Sequence, residues 1–236
     1  MIIPAYNEAQ RLPAYLDAVV AYFDGLDRAY EVLVVDDGSS DGTAAHVLEA
    51  QAGHPAVTLH RLAVNHGKGF AIRAGMLAAR GELRLMADAD GATPIDELKR
   101  LEAAIQAGAD IAVGSRALQD PSVTRQVRLH RKLSGEVFNF LVRRLGVLDV
   151  ADTQCGFKLF RAEAATVLFG ELETIGFAFD VELLLLARGR GYQVTEVAIN
   201  WADQPGSKVT VFRDGPHMVR QVLAARRRLA RPKASS

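Results

Sequence analysis

The sequence has a single cysteine, no excess of either charge and no long hydrophobic run. With Cys155 alone, no intramolecular disulfide can form, and we expect a reducing, cytoplasmic environment. The 28 Lys and Arg residues balance 28 Asp and Glu residues, so the overall charge does not indicate a nucleic-acid partner. Apolar runs such as residues 183–187 are far shorter than the roughly 20 residues that span a membrane, and no basic, apolar leader precedes Ile2. We therefore expect neither a membrane-spanning helix nor export.

Hydrophobic residues make up 49% of the 236-residue chain, and they recur in a regular alternation of strand and helix patterns. The predicted strands are residues 1–5, 31–36, 57–62, 82–88 and 110–115. The predicted helices are residues 7–23, 41–52, 69–79 and 94–107, the last with Thr93 as its N-cap and Pro94 in its first turn. This order predicts an α/β fold, in which helices cover both faces of a mostly parallel central sheet.

The pattern changes after residue 115. A basic loop leads to a predicted helix at 127–145, a strand at 156–162, a helix at 179–190, a strand at 192–201 and a basic C-terminal helix. We expect a single domain over residues 1–212, formed by a first half (1–115) and a second half (116–212). A basic helix and tail (213–236) follow it.

Four polar motifs follow the first four predicted strands: PAYNE (4–8), VVDDGSSDGT (34–43), NHGKG (65–69) and ADAD (87–90). Ligands of open α/β sheets bind beyond the carboxyl ends of the strands, where these motifs lie. Asp88 and Asp90 are two residues apart, so on an extended chain they point the same way and can converge on one cation. Hard oxygen ligands suit Mg²⁺ or Mn²⁺, and a diphosphate beside Lys68 would complete such a site. The alternative is a solvated turn, because Asp and Gly are common turn formers.

In this order within one βαβα frame, the four motifs resemble the family 2 glycosyltransferases of GT-A fold, which transfer sugars from nucleotide donors. Four later stretches are similar to the dolichyl-phosphate β-glucosyltransferase branch: VGSR (113–116), DTQCGFKLFR (152–161), FAFDVELL (177–184) and INWADQPGSK (199–208). The resemblance implies a Rossmann-like GT-A fold whose first half binds the nucleotide sugar and whose second half binds the acceptor. It also implies an inverting, metal-dependent transfer of glucose from UDP-glucose to a polyprenyl phosphate. Related mannosyltransferases tend to carry glutamine where this chain has Ala92, which favours the glucosyl branch and leaves a third protein ligand to the metal unassigned.

The resemblance implies roles for individual residues. Binding of the nucleotide sugar is assigned to Pro4, Tyr6, Glu8, Asp36, Asp37, Lys68, Asp88, Ala89 and Asp90. Asp88 and Asp90 are the expected metal ligands. The expected catalytic residues are Asp88, Asp90, Arg116 and Asp180. Arg116, Arg131 and Lys208 are the candidates for binding the acceptor phosphate, because cationic groups offset the repulsion between two phosphates.

Asp180 has two alternative roles. If the acceptor were a hydroxyl of a growing glycan, a carboxylate would be needed as general base, and Asp180 is the candidate. A phosphomonoester, with a second pKa of about 6, is ionised near neutrality and needs no such base, which would leave Asp180 to position an arginine or a sugar hydroxyl. A third alternative is a non-catalytic sugar-nucleotide-binding or membrane-associated protein of the same fold.

Other polar residues have structural interpretations. Asp152 and Gln154 are explained as well by a polar pair that fixes a loop as by contact with the sugar. We expect His66 to be a loop residue and Cys155 to be a small buried hydrophobe.

Two basic segments predict contact with an anionic membrane surface. Between residues 116 and 144, the cationic residues are Arg116, Arg125, Arg128, Arg131, Lys132, Arg143 and Arg144, against Asp120 and Glu136. The C-terminal segment combines Val219, Val222 and Leu223 with Arg220, Arg226, Arg227, Arg228, Arg231 and Lys233. Such basic amphipathic helices lie in a membrane interface, although both could instead pack on the domain with solvated charges. We expect a peripheral protein on the cytoplasmic face of a membrane, with a membrane-anchoring protein as a further candidate partner.

Overall fold

The computed structural model of the chain describes residues 1–126, 150–204 and 211–229. In chain order, its elements are β1 (Ile2–Ala5), α1 (Leu12–Asp24), β2 (Val32–Asp36), α2 (Thr43–Gly53), β3 (Val57–Arg61), α3 (Lys68–Ala78), β4 (Leu83–Ala87), a 3₁₀ turn (Ile95–Glu97), α4 (Leu98–Gln106), β5 (Ile111–Ser115), β6 (Arg125–Gln126), β7 (Phe157–Arg161), α5 (Ala162–Glu171), α6 (Phe179–Gly189), β8 (Val194–Ala198), β9 (Trp201–Ala202) and α7 (Val211–Leu229). The predicted alternation of strands and helices in the first half of the chain is confirmed.

Seven strands form the central sheet in the order β3-β2-β1-β4-β7-β5-β8. All neighbours are parallel except around β7, which runs antiparallel to both β4 and β5. The prediction of a mostly parallel sheet is therefore confirmed. The chain winds from β1 towards β2 and β3 and then crosses back to β4, so the switch point of this topology lies between β1 and β4. Ligand sites of α/β proteins form at that point.

Side chains that alternate along the strands build two cores, one on each face of the sheet. Ile3 and Val34 pack in one core with residues of α1 and α4. Ile2 and Val35 pack in the other core with residues of α3, α5 and α6. The expectation of helices on both faces is confirmed, and the two layers hold the strand ends rigidly at one edge of the sheet.

Three local predictions differ from the structure. Helix α1 begins at Leu12 rather than at residue 7, because residues 6–11 form a loop in which Asn7 has a positive φ of 51°. Pro94 is the N-cap residue of the 3₁₀ turn, with ψ of 142°, so the prediction of Thr93 as the N-cap is wrong. Helix α5 was not predicted, since it follows β7 directly with neither Gly nor Pro between them and without a side-chain cap.

The C-terminal helix α7 packs on the domain. Met218 and Val222 are buried against Ala178 and Val181 of the α6 region, while Arg227 and its neighbour Arg226 remain exposed. The apolar residues of α7 thus pack on the domain. This packing was the alternative to contact of these residues with a membrane. The predicted helix at 127–145 lies outside the described residues. Among the residues that the structure describes, no helix combines the length and apolar composition needed to cross a membrane.

Candidate active site

The loops after β1 and β2 are held together by hydrogen bonds. The backbone N–H of Asn7 donates to Ser39 Oγ at 2.9 Å, and the Ser40 N–H donates to Asn7 Oδ1 at 2.9 Å. The Glu8 N–H donates to Thr43 Oγ1 at 2.8 Å. The PAYNE and DDGSSDGT motifs therefore form one rigid rim at the carboxyl edge of the sheet.

Asp36 and Asp37 are both buried, but they differ in what they contact. Asp37 accepts the N–H groups of His66 and Gly67, both at 2.8 Å, so its carboxylate holds the NHGKG loop in place. Asp36 accepts one hydrogen bond through Oδ1, from the Ser39 N–H at 2.9 Å. Its Oδ2 lies 3.4 Å from the Arg61 guanidinium and has no hydrogen-bond partner in the part of the chain described. Asp36 is therefore the better placed of the two to accept a hydrogen bond from a ligand.

A cleft opens beside Asp36 and is lined by Gly38, Ser39, Arg61, Leu62 and Ala63. Tyr6 is exposed on the same rim and Pro4 is half-buried within β1. The PAYNE and DDGSSDGT motifs therefore lie on one surface, where the sequence predicts that a nucleotide binds.

Asp88, Ala89 and Asp90 follow β4 directly at the switch point. Lys68 Nζ lies 2.6 Å from Asp88 Oδ1, so the NHGKG and DAD motifs meet. Asp90 accepts the Ala92 N–H at 3.1 Å. Burial and the neighbouring charge of Asp88 raise the pKa of Asp90. A cation bound close to the two carboxylates would stabilise the ionised form of Asp90.

The same carboxylates fit a divalent metal only as a partial ligand set. The described residues contain no cluster of three His, Cys, Asp or Glu side chains that could hold an ion. Asp88 and Asp90 would therefore supply two oxygens, and the remaining positions would be left to a phosphate ligand and water, as is usual for Mg²⁺.

Arg11 was not identified in the sequence, although it lies between two of the motifs. It binds both oxygens of the buried Glu8, with distances of 2.7 and 2.6 Å, and is 3.9 Å from Asp90 Oδ2. Burial opposes the charged form, but Glu8 raises the pKa of Arg11. The signal available in the sequence was the spacing of three residues between Glu8 and Arg11. The contact between the two side chains shows that Glu8 orients Arg11.

Gly156 was also missed. A Cβ atom at this position would lie 2.1 Å from Asp88 Oδ2, so the backbone of residue 156 packs directly against the carboxylate. Only a residue without a side chain leaves Asp88 in its observed position. The sequence shows the glycine but not its contact with Asp88, because that contact depends on the antiparallel pairing of β7 with β4.

Asp180 forms a buried ion pair that the sequence did not predict. Lys158, on β7, donates to the Asp180 carboxylate and, at 2.6 Å, to the Cys155 carbonyl oxygen. Neither side chain is accessible, with 0% of Lys158 and 4% of Asp180 exposed. Burial raises the pKa of Asp180, although Lys158 and Lys68 oppose this effect. A charged lysine within the apolar strand sequence FKLF was the signal for a buried partner.

Arg116 is held by Asp152. Its Nε and Nη2 donate to the two Asp152 oxygens at 2.7 and 2.8 Å, and its guanidinium lies 5.4 Å from the Trp201 ring. Glu196 accepts the N–H groups of Ala151 and Asp152. Burial acts to lower the pKa of Arg116, but the neighbouring Asp152 carboxylate raises it above its ordinary value. Asp152 thus makes a structural contact, which agrees with one of the two interpretations of this residue from the sequence. The contact gives Arg116 a defined orientation at the end of β5.

The remaining predicted residues are placed as follows. Gln154 donates to the Phe177 carbonyl oxygen at 3.0 Å, which is a structural contact. His66 is exposed and stacks on Phe70, as expected of a loop residue. Burial raises the pKa of Cys155 to about 12, so it is a buried thiol. Arg131 and Lys208 lie outside the described residues.

Comparisons with known proteins agree with this geometry. Residues 1–169 match the family model described as Glycosyl transferase family 2. A dolichyl-phosphate β-glucosyltransferase of Drosophila melanogaster is 42% identical over 225 residues, which cover 90% of this chain and 69% of that protein. The Homo sapiens protein of the same name is 39% identical and covers 97% and 74%, and the Saccharomyces cerevisiae protein is 33% identical and covers 96% and 73%.

Solved structures show the same fold. Glucosyl-3-phosphoglycerate synthase from Mycobacterium tuberculosis, in complex with Mn²⁺, uridine diphosphate and phosphoglyceric acid, has a TM-score of 0.70. The likeness covers 99% of this chain and 78% of that chain, at 19% sequence identity. The same enzyme in complex with Mn²⁺ and UDP-glucose also has a TM-score of 0.70, at 18% identity.

The Lys158–Asp180 pair generates a prediction about stability. Lys158→Met leaves Asp180 as an uncompensated buried charge, and we expect the free energy of unfolding in urea to fall by about 3–5 kcal/mol. Replacing both residues, with Lys158→Met and Asp180→Leu together, is expected to recover much of the loss. The control is Lys99→Met, whose side chain is 66% exposed, with an expected change within about 0.5 kcal/mol. Equal stability of Lys158→Met and the control would contradict the prediction.

Proposed function

The chain belongs to glycosyl transferase family 2, in the branch of the dolichyl-phosphate β-glucosyltransferases, and we propose that it transfers glucose from UDP-glucose to a polyprenyl phosphate with inversion. The observation that carries the proposal is the meeting of Asp88, Asp90 and Lys68 at the switch point of the sheet. A concentration of carboxylates beside a lysine suits a divalent metal and a diphosphate together.

The donor lies along the carboxyl edge of the strands. The uracil and ribose occupy the cleft beside Asp36, whose Oδ2 accepts a hydrogen bond from the nucleotide. Asp37 acts indirectly, because both its oxygens bind the NHGKG backbone that presents Lys68. Pro4, Tyr6 and Glu8 form the other wall, and Ala89 brings backbone close to the phosphates. The donor is the same as that bound by the glucosyl-3-phosphoglycerate synthase from Mycobacterium tuberculosis.

A divalent cation, Mg²⁺ or Mn²⁺, is the proposed cofactor. Asp88 and Asp90 hold it, and when bound it neutralises the charge that develops on the departing UDP. Lys68 adds positive charge on the same side. Its contact with Asp88 keeps the carboxylate in place before the donor binds.

The burial of Asp180 favours a phosphate acceptor over a hydroxyl acceptor. A general base must reach the proton that it removes, whereas Asp180 is bound to Lys158 and almost inaccessible. An ionised phosphate attacks the anomeric carbon without such a base. Arg116, with Arg131 and Lys208, is proposed to hold the acceptor phosphate near the donor phosphates and to orient its attack.

The acceptor also implies a membrane surface. We assign the exposed Arg220, Arg226 and Arg227 of α7 to contact with anionic lipid on the cytoplasmic face, because clustered basic residues are attracted to such a surface. A membrane-anchoring protein remains a candidate partner.

The transfer reaction can be tested by combining radiolabelled UDP-sugars with polyprenyl phosphates in detergent, with Mn²⁺, with Mg²⁺ and with EDTA. We expect label in the lipid fraction only from UDP-glucose and only when a metal is present. Label that appears solely in a water-soluble glycan would support the hydroxyl-acceptor alternative. Release of no UDP on any acceptor, with nucleotide binding unaffected by EDTA, would support the non-catalytic alternative.

Asp180→Asn distinguishes the two acceptor classes. For a phosphate acceptor we expect kcat to fall by less than about tenfold, whereas loss of a general base costs about 100-fold or more. The matched control is Asp96→Asn, whose side chain is 69% exposed and lies beside Lys99. Rates are compared where circular dichroism shows both variants folded. A loss of 100-fold or more in kcat, with the folded state intact, would contradict the phosphate assignment.

Gly156→Ala tests the position of the Asp88 carboxylate. The added methyl group must displace that carboxylate, so we expect UDP affinity in the presence of Mn²⁺ to fall by about tenfold or more, as for other changes behind metal ligands. Gly170→Ala is the control, because a Cβ atom there meets no neighbour within 4 Å. Calorimetric titration gives both affinities, and equal values for the two variants would show that Asp88 does not contribute to binding.

A further inference from the structure

The C-terminal helix α7 reaches a buried carboxylate of the domain. Arg228, in the last turn of α7, donates to the Glu182 carboxylate and lies 2.9 Å from Glu173 Oε2. The Glu182 side chain is 0% exposed, whereas Arg228 is 34% exposed. Since a buried charge requires a partner, α7 supplies the compensating charge for a carboxylate in the first turn of α6.

Glu182 also holds a loop of the domain. Its two oxygens accept the backbone N–H groups of Glu173 at 3.0 Å and Thr174 at 2.8 Å. The neighbouring Gly176 packs against the Gln221 amide of α7, with 3.2 Å between that amide and a Cβ built on the glycine. The loop at 173–176 is therefore fixed on one side by Glu182 and on the other by α7.

This loop in turn holds the start of helix α3. The Ile175 carbonyl oxygen accepts the N–H groups of Gly69 at 2.8 Å and Phe70 at 3.3 Å. A Cβ atom on Gly69 would lie 2.4 Å from the Thr174 carbonyl oxygen, so the two backbones are in direct contact. Lys68, the residue before Gly69, is the one that reaches Asp88. A continuous series of contacts thus runs from Arg228 to the donor site.

We propose that Glu182 and Arg228 are positioning residues for Lys68. Glu182 fixes the loop at 173–176, the loop fixes the first turn of α3, and that turn sets the distance between Lys68 and the DAD motif. Arg228 pairs with the buried Glu182 carboxylate and keeps it in place. The importance of Lys68 for the reaction rests on the proposed function. The series of contacts from α7 to Gly69 does not depend on that function.

The matched pair Arg228→Met and Arg227→Met tests the link. Both variants remove one positive charge from the last turn of α7, so an effect on membrane attraction or on the helix dipole is the same in both. Arg227 is exposed, and only the change at Arg228 strands the Glu182 carboxylate. In wild type and both variants, hydrogen exchange is measured on the backbone amides of Gly69 and Phe70, well below the unfolding temperature.

We expect Arg228→Met to accelerate exchange at these two amides by about tenfold, as for local opening, and Arg227→Met to leave it unchanged. Arg228→Met is also expected to raise the KM for UDP-glucose more than it lowers kcat, because Lys68 acts on the donor. Arg228→Lys, which restores the charge but not the two-nitrogen contact with Glu182 and Glu173, should recover part of both effects. Glu182→Gln provides a second variant with the same expected exchange, should Arg228→Met fail to fold.

Equal exchange at Gly69 and Phe70 in Arg228→Met and Arg227→Met would overturn the proposal, even if Arg228→Met lowered the unfolding temperature. A KM and kcat equal to those of Arg227→Met would overturn it as well. If the wild-type chain transfers no glucose, the proposed function fails, and the exchange comparison still decides whether α7 fixes the start of α3.

Discussion

The repulsion between carboxylates at one edge of the sheet is the constraint on which the site depends. Asp36 ends β2, and Asp88 and Asp90 follow β4. These two strands flank β1, so all three carboxylates lie at the carboxyl edge where the topology opens a crevice. Lys68 and Arg11 compensate part of this charge without filling the crevice. In the function proposed above, a metal that carries a nucleotide diphosphate would compensate the rest, so the repulsion between the carboxylates would contribute to affinity for the donor.

Internal ion pairs take up several of the basic residues that surround this edge. Arg116 binds Asp152, Lys158 binds Asp180, and Arg228 binds Glu182, each with a carboxylate that is almost completely buried. Breaking such a pair leaves a buried charge, which is why each pair fixes the elements that it joins. The basic residues of the chain therefore divide into those that order the protein and those, such as Arg226 and Arg227, that remain exposed.

The sequence was sufficient to predict that the motifs after β1 to β4 meet at one edge of the sheet. Parallel strands place their carboxyl ends at one edge, so the order of the motifs around Asp36, Lys68 and Asp88 already implied that they meet. It was not sufficient for Gly156 or Lys158, whose neighbours depend on β7 entering the sheet antiparallel between β4 and β5. No local sequence pattern predicts between which two strands β7 lies, because strand propensity does not distinguish a parallel from an antiparallel strand.

The antiparallel direction of β7 has a consequence for how this architecture can diversify. The chain leaves the sheet at Ser115, the end of β5, and returns at Phe157, the start of β7. Both points therefore lie at the edge of the sheet that carries the four motifs. The residues between these two points belong to none of the strands β1 to β4, although Gly156 must stay a glycine because it packs against Asp88. In the proposed function, this one excursion of the backbone would allow the acceptor to change during evolution while the residues proposed to bind the nucleotide sugar are kept.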